Sequence, residues 1–212
     1  MFPECRIIVI ANGHVMKQEQ QIYLKRIKEF CNSFNNIELI TYSEPKGLSH
    51  LWNRIVKCSK NQKILILNDD LRIRRNFKKS IIEDKIADRD IATINLSWSH
   101  FLISKDIIEK VGWFDEQLVE IGGEDDDYAA RLAIASCQVS DLKTFAIGGK
   151  LRNRQKQLRV NSYGKDMTKE INGYSTENNN YLSEKWEWSD KYFDGAVEVP
   201  NRGIRYWKLR SQ

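Results

Sequence analysis

No stretch of eighteen apolar residues occurs in the 212-residue chain, so no segment has the length and apolarity of a membrane-spanning helix. A positive patch leading into a long apolar core is also missing at the N-terminus. The apolar residues 6–11 are too short for that and read as a strand, so residence in the cytoplasm is the expectation. Cysteine is sparse: Cys5, Cys31, Cys58 and Cys137 lie far apart with no Cys-x-x-Cys step, which argues against a disulfide framework or a zinc site and for ordinary thiols. Histidine occurs three times and never after His100; His14 and His50 read as surface or packing residues. Residues 6–16 contain one glycine, Gly13, so the Gly-rich loop that holds a triphosphate in nucleotidyl transfer is absent. Internal repeats, low-complexity tracts and nucleic-acid-binding motifs are absent as well.

What is present is acid in two places. Ile64-Leu65-Ile66-Leu67 runs into Asn68-Asp69-Asp70, and Gly122-Gly123 leads into Glu124-Asp125-Asp126-Asp127 ahead of an apolar, Ala-rich run from Tyr128. A buried strand ending in carboxylates suits a hard divalent cation. Carboxylates at a helix start can face a cleft while the helix body stays in the core. Two separate acidic steps point to two tasks, metal binding and proton transfer. Helix-start acids also have a purely structural reading, since the macrodipole favours each by about 0.3–1 kcal/mol. Asp127 and Arg131 stand four apart, as a structural pair would. The net charge is only +5, but basic residues crowd 72–79 and 150–159. These clusters read as solvated faces or as attraction to a diphosphate, an anionic membrane surface or nucleic acid.

The chain length and 41% hydrophobic content fit one domain with an appended C-terminal segment. Strand and helix signals alternate. Strands are expected at 6–11, 37–42, 63–67 and 91–96, and helices at 18–34, 48–58 and 76–86. The pattern predicts an α/β fold, a mostly parallel, Rossmann-like sheet with helices on both faces. Ligands bind such sheets at the carboxyl ends of strands. Asn12, Ser43-Glu44 and Asn68-Asp69-Asp70 fall at those ends. Ser104 is placed to cap a short helix ending at Gly112, the helix after Gly123 runs to about 137, and 139–147 reads as another strand. Residues 1–148 are expected to form the core. Residues 149–212 are expected to comprise a mobile basic loop to about 181 and an aromatic segment (Trp186, Trp188, Tyr192, Phe193, Tyr206, Trp207) packing back on that core.

The run 101–116 ending Gly112-Trp113-Phe114-Asp115-Glu116, followed by Gly123-Glu124-Asp125-Asp126-Asp127-Tyr128, resembles the second half of a family 2 glycosyltransferase of the GT-A fold. Leu67-Asn68-Asp69-Asp70 resembles that family's Asp-x-Asp motif with Asn in first place. Lys46-Gly47-Leu48-Ser49-His50-Leu51-Trp52-Asn53 resembles its Gly-rich step, and Asn179 to Trp186 a tail of bacterial members. The resemblance spans roughly 5–190. It departs from the family at Ala11-Asn12-Gly13-His14 and at Ser43-Glu44, where a paired Asp is usual.

The resemblance implies inverting transfer of a sugar from a nucleotide diphosphate, with a UDP-sugar as the expected donor, to a saccharide or lipid-linked saccharide acceptor in polysaccharide or glycoconjugate synthesis. It implies Mn²⁺ or Mg²⁺ held by Asp70, with Asn68 and Asp69 beside the ribose. It makes Asp125 the general base and Glu124 an acceptor contact or an orienter of that base. Asn12, Glu44, Lys46 and Asn53 are assigned to the donor, and Trp98 and His100 to the acceptor. Peripheral contact at the inner face of the membrane accompanies the reading; nucleic acid is not an expected partner. The alternative is a non-catalytic module that binds a sugar nucleotide or nucleic acid.

Overall fold

The computed structural model describes residues 4–69, 71–74, 76–83, 86, 88–119, 122–144, 147–148, 176–186, 193–198 and 205–209. Strand β1 (Ile7–Ala11) leads through α1 (Lys17–Asn32) to β2 (Ile37–Thr41), which pairs with it in parallel, Ile7 opposite Ile37 and Ala11 opposite Thr41. Then follow α2 (Leu48–Cys58), β3 (Lys63–Leu67), the short β4 (Arg72–Ile73) and one π-helical turn (Lys78–Glu83) in the region where a third helix was expected. Next come β5 (Ile91–Ile94), β6 (Ser97–Ser104), α3 (Lys105–Val111), α4 (Glu124–Ile134), β7 (Ser140–Leu142) and β8 (Ile147–Gly148). The last elements are α5 (Thr176–Trp186), β9 (Phe193–Glu198) and β10 (Arg205–Leu209). The hairpin β9–β10 lies with its second strand against α4.

The central sheet has the order β3-β6-β5-β7. It is mixed: β6 runs antiparallel to both β3 and β5, and only β5–β7 is parallel. The expected mostly parallel sheet gives way here because β5 turns back directly. Asn95 and Leu96, at φ 54° and 57°, form a two-residue turn, so the chain stays in the sheet without a crossover helix. The residues expected to extend β5 to 96 are that turn. Past it the register slips: Ile94 faces Ser97 but Thr93 faces Phe101. This bulge lets Trp98 and Phe101 share one face despite their odd spacing.

Each face of the sheet carries a core. On one side Ile64, Ile66, Phe101 and Ile103 pack with Trp52 and Val56 of α2, Ile107 and Ile108 of α3, and Tyr128 and Leu132 of α4. On the other, Ala92, Ile94 and Leu102 pack with Phe77, Ile81, Leu142 and Ile147. Each fully buried Leu, Ile or Phe contributes roughly 1.5–3 kcal/mol. Helix α3 is bounded as its sequence requires. Ser104 Oγ accepts from Ile107 N–H at 3.3 Å, and Gly112, at φ 94°, ends it. Helix α1 is different: Ile22 and Phe30 share a face, as their spacing predicts, but are 59% and 58% exposed.

Three asparagines hold distant loops in the same way. Asn12 donates to Lys46 O and accepts from Lys46 N–H, both at 2.9 Å. Asn53 brackets Phe114 (2.9 and 3.0 Å), and Asn95 brackets Thr144 (2.9 and 2.8 Å). A carboxamide matches a peptide's donor and acceptor at once, which is why asparagine, not aspartate, stands at all three.

Gly47 caps α2 in an ordinary extended conformation, so its need for glycine is steric. A Cβ there would meet Leu118 O at 2.5 Å and Val119 O at 2.8 Å. Gly47→Ala is expected to destabilise the protein by about 1–3 kcal/mol, read as a lower denaturant midpoint at unchanged slope.

Candidate active site

The carboxyl ends of β1 and β2 build one rim. Asn12 follows β1, and its amide fixes Lys46, whose side chain is exposed. Glu44 follows β2, is exposed, and pairs with Lys17 Nζ at 2.7 Å. His50, at the start of α2, meets Glu116 Oε2 at 2.7 Å and sits edge-on to Tyr42. Asn53 is buried, with its amide used on Phe114 and on Glu116 Oε1 (2.8 Å), so its side chain shapes the loop after α3. The Asn53 hydrogen bond, with His50 and Lys57 assisting against the burial penalty, holds the Glu116 carboxyl below its usual range. Trp113, 43% exposed, lies beside this rim under Lys57, whose ammonium is 5.0 Å from the ring centre.

That loop enters the acidic turn. Phe114 stacks on Tyr128 (centroids 4.0 Å apart), and Tyr128 OH donates to Gly112 O. Gly122 and Gly123, at φ 101° and 92°, make a left-handed step that non-glycine residues rarely adopt. The step delivers four carboxylates into the first turn of α4. Their surroundings separate their roles. Asp127 is sealed, with Oδ2 held by Arg131 (Nε at 3.0 Å, and a second guanidinium nitrogen at 2.9 Å) and Oδ1 held by Trp186 Nε1 (3.0 Å) and Lys185 Nζ (2.6 Å). It is structural, as the four-residue spacing predicted. Asp126 is buried. Asp125 is partly open.

Glu124 is 3% exposed. Its Oε2 accepts from Gly122 N–H at 2.9 Å, whereas Oε1 has no hydrogen-bond partner among the described residues. Burial pushes its carboxyl up to about 8, opposed by its own and Gly122's N–H groups and reinforced by Asp125 and Asp126. Burial likewise raises Asp125, against the N–H groups of Asp125 and Asp126. At neutral pH Glu124 is therefore a neutral acid with one unused oxygen, next to a carboxyl whose basicity is enhanced.

Asn68 and Asp69 stand exposed at the end of β3. Asp69 is close enough to Tyr23 of α1 to help burial raise that phenol. Asp70 lies outside the described residues, as does the whole basic stretch 150–159. Among the described residues no three His, Cys, Asp or Glu side chains cluster as a preformed metal site. The oxygen donors that Asn68 and Asp69 expose at this strand end are of the hard type that suits Mn²⁺ or Mg²⁺. His100 sits opposite Leu67 on β6 and is buried; Trp98 is buried against Phe101 and Tyr128. Both are thus built into the fold between the two acidic steps.

Three further elements complete this region. Asp115 accepts from Tyr181 OH (2.6 Å) and Lys185 Nζ; burial acts upward on its carboxyl, but those hydrogen bonds outweigh it and the net shift is downward. Glu116 anchors His50 and Asn53. Helix α5 supplies Asn178, Tyr181, Lys185 and Trp186. The signal was present, since Asp115-Glu116 and the 179–186 tail both carried the family resemblance. The expected loop to 181 is replaced from Thr176 by this helix, and 149–175 lie outside the described residues.

No protein-family model matches the chain, and no curated protein matches it. Solved structures do. The catalytic domain of Drosophila β1,4-galactosyltransferase 7 in complex with xylobiose aligns over 97% of this chain and 92% of its own, with a TM-score of 0.52 and 12% identity. A mutant of the same enzyme in complex with manganese, UDP-Gal and xylobiose aligns over the same shares, with a TM-score of 0.50 and 11% identity. The chain shares the fold of a glycosyltransferase catalytic domain. At these identities the likeness is one of architecture, of the GT-A kind the sequence resemblance implied. No helix among the described residues is long and apolar enough to cross a membrane.

Proposed function

We propose that this protein is an inverting glycosyltransferase, of family 2 character, that moves a sugar from a UDP-type donor to a saccharide hydroxyl in polysaccharide or glycoconjugate synthesis. The observation that carries the reading is the acidic turn: a sealed Glu124 with one unused oxygen beside a partly open Asp125, in a fold shared with galactosyltransferase catalytic domains. The manganese, UDP-Gal and xylobiose bound by a structural neighbour support the proposed metal, donor and acceptor classes.

In this reading the Asp125 carboxylate takes the proton of the acceptor hydroxyl as that oxygen bonds to the anomeric carbon. The bond from the anomeric carbon to the diphosphate breaks on the opposite side, and the nucleoside diphosphate leaves with the electron pair. Neutral Glu124, sealed beside Asp125, acts through that neighbour by orienting the base rather than by touching the acceptor. Asn12, Glu44 and Lys46 line the donor rim; Asn53 acts behind it by holding Phe114 and Glu116. Asp70, with Asn68 and Asp69 alongside, would hold Mn²⁺ or Mg²⁺. When bound, the ion supplies positive charge against the departing diphosphate.

The test is a thermal-shift panel of nucleotide sugars with and without Mn²⁺, followed by mass spectrometry of candidate saccharide acceptors. A true donor at one hundred times its dissociation constant is expected to stabilise by about 2.7 kcal/mol. No shift with any nucleotide sugar in the presence of Mn²⁺ would overturn the reading.

A further inference from the structure

We infer that helix α5 positions the acidic turn, with Asn178 as the positioning residue for Glu124. The inference rests on the transferase reading for its catalytic consequence, but the geometry stands on its own. Asn178 is fully buried, and its Nδ2 donates to Gly122 O at 2.9 Å. Gly122 N–H in turn donates to Glu124 Oε2 at 2.9 Å. The residue between the two side chains is therefore held on both sides, its carbonyl by α5 and its amide by the acid it presents. Glycine at φ 101° has wide conformational freedom, so without the Asn178 contact nothing else among the described contacts anchors that carbonyl.

The far end of α5 fixes the same helix one turn on. Lys185 Nζ bridges Asp127 Oδ1 (2.6 Å) and Asp115, and Trp186 Nε1 reaches Asp127 Oδ1 at 3.0 Å. Residues 178 and 186 are eight positions apart, about 12 Å of helix at 1.5 Å per residue. One helix thus holds two separate points, the glycine step ahead of Glu124 through Asn178 and Asp127 through Lys185 and Trp186. Among the described residues the charged groups acting on Glu124 are Asp125 and Asp126 of its own helix; α5 brings the uncharged Asn178 to Gly122 and the charged Lys185 to Asp127.

The test compares Asn178→Ala, Asn178→Asp and Trp186→Phe in the full chain. Glu124 is followed by carbon-13 carboxyl NMR titration and, independently, by the pH dependence of kcat/KM. Loss of the donor at 178 frees Gly122, weakens its N–H bond to Oε2 and removes a stabiliser of the carboxylate. Both Asn178 variants are therefore expected to raise the Glu124 titration by about one pH unit, with the alkaline limb of kcat/KM following it. Trp186→Phe loosens α5 at its other end and is expected to lower Tm while leaving the titration in place. An unmoved titration in the Asn178 variants, or an equal shift in Trp186→Phe, would overturn the inference. The NMR readout needs no turnover. A wild type that transfers no sugar, with Asn178 variants that still move the Glu124 titration, would sink the transferase reading and leave the positioning role standing.

Discussion

Asp125→Asn is expected to lower turnover by about 10²–10⁴-fold while donor binding stays within a few fold of wild type, the range by which a positioned base accelerates proton transfer. The substitution keeps the shape of the side chain and removes only its ability to accept a proton. Asp125 is the one carboxylate of the four that stays partly open: Glu124, Asp126 and Asp127 are buried, and Asp127 is tied to Arg131, Lys185 and Trp186. Burial raises the Asp125 carboxyl, which increases its appetite for the acceptor's proton. The measurement is single-turnover product formation beside a donor titration on the same protein. Unchanged turnover would remove Asp125 from the chemistry, and an equal loss of donor affinity would mean that it serves binding.

Glu124→Gln is expected to stabilise the protein, by as much as about 5 kcal/mol at pH 8, while reducing activity far less than Asp125→Asn. The folded protein holds the Glu124 proton up to about pH 8, against an ordinary value of 4.5. The contribution of this group to stability is complete below pH 4.5 and is lost as pH rises toward 8, because only the unfolded chain ionises freely there. About three and a half pH units at about 1.4 kcal/mol each give the ceiling. A glutamine cannot ionise and escapes the loss, yet it still accepts from Gly122 N–H and still offers a donor, as the neutral acid does. Urea titrations of both proteins between pH 5 and 9 should therefore diverge as pH rises, and the decline of kcat/KM above pH 8 should vanish in the variant. Parallel stability curves would mean that Glu124 is ionised in the fold. Activity as low as that of Asp125→Asn would mean that the charge is needed.

Much of this arrangement could be read from the sequence because it depends on local patterns. The strands at 6–11, 37–42 and 63–67 are short apolar runs between turn residues, and they form within a residue or two of their expected bounds. Ser104 and Gly112 bound α3 through chemistry that acts over three or four residues. Strand β6 escaped notice for an equally local reason. Its turn, Asn95-Leu96, lacks the glycine that marks most two-residue hairpins, and Ser97 and Ser99 dilute its start. The direction of the sheet follows from that one turn. Helix α5 was obscured by composition: Thr176 to Asn180 is polar, and its purpose emerges only from partners about sixty residues earlier. The acidic turn was found because four adjacent carboxylates are rare. The spacing to Arg131 marks Asp127 as the structural one, whereas no spacing rule connects its other partners, Lys185 and Trp186, to it. Asn53 shows the reverse: a motif suggested contact with the donor, and the fold engages the amide with Phe114 and Glu116.

The three carboxamides that bracket Lys46, Phe114 and Thr144 also bear on how the protein ages. Each closes a span of 34, 61 or 49 residues with a single side chain. Slow hydrolysis of any of these amides to an acid would delete the donor and set a negative charge against a backbone carbonyl. Asn12, half-buried like Asn95 and followed by the unbranched Gly13, supports the loop that carries Lys46 and Gly47. Chemical wear at that one amide would thus loosen the rim it holds in place, well before the two cores come apart.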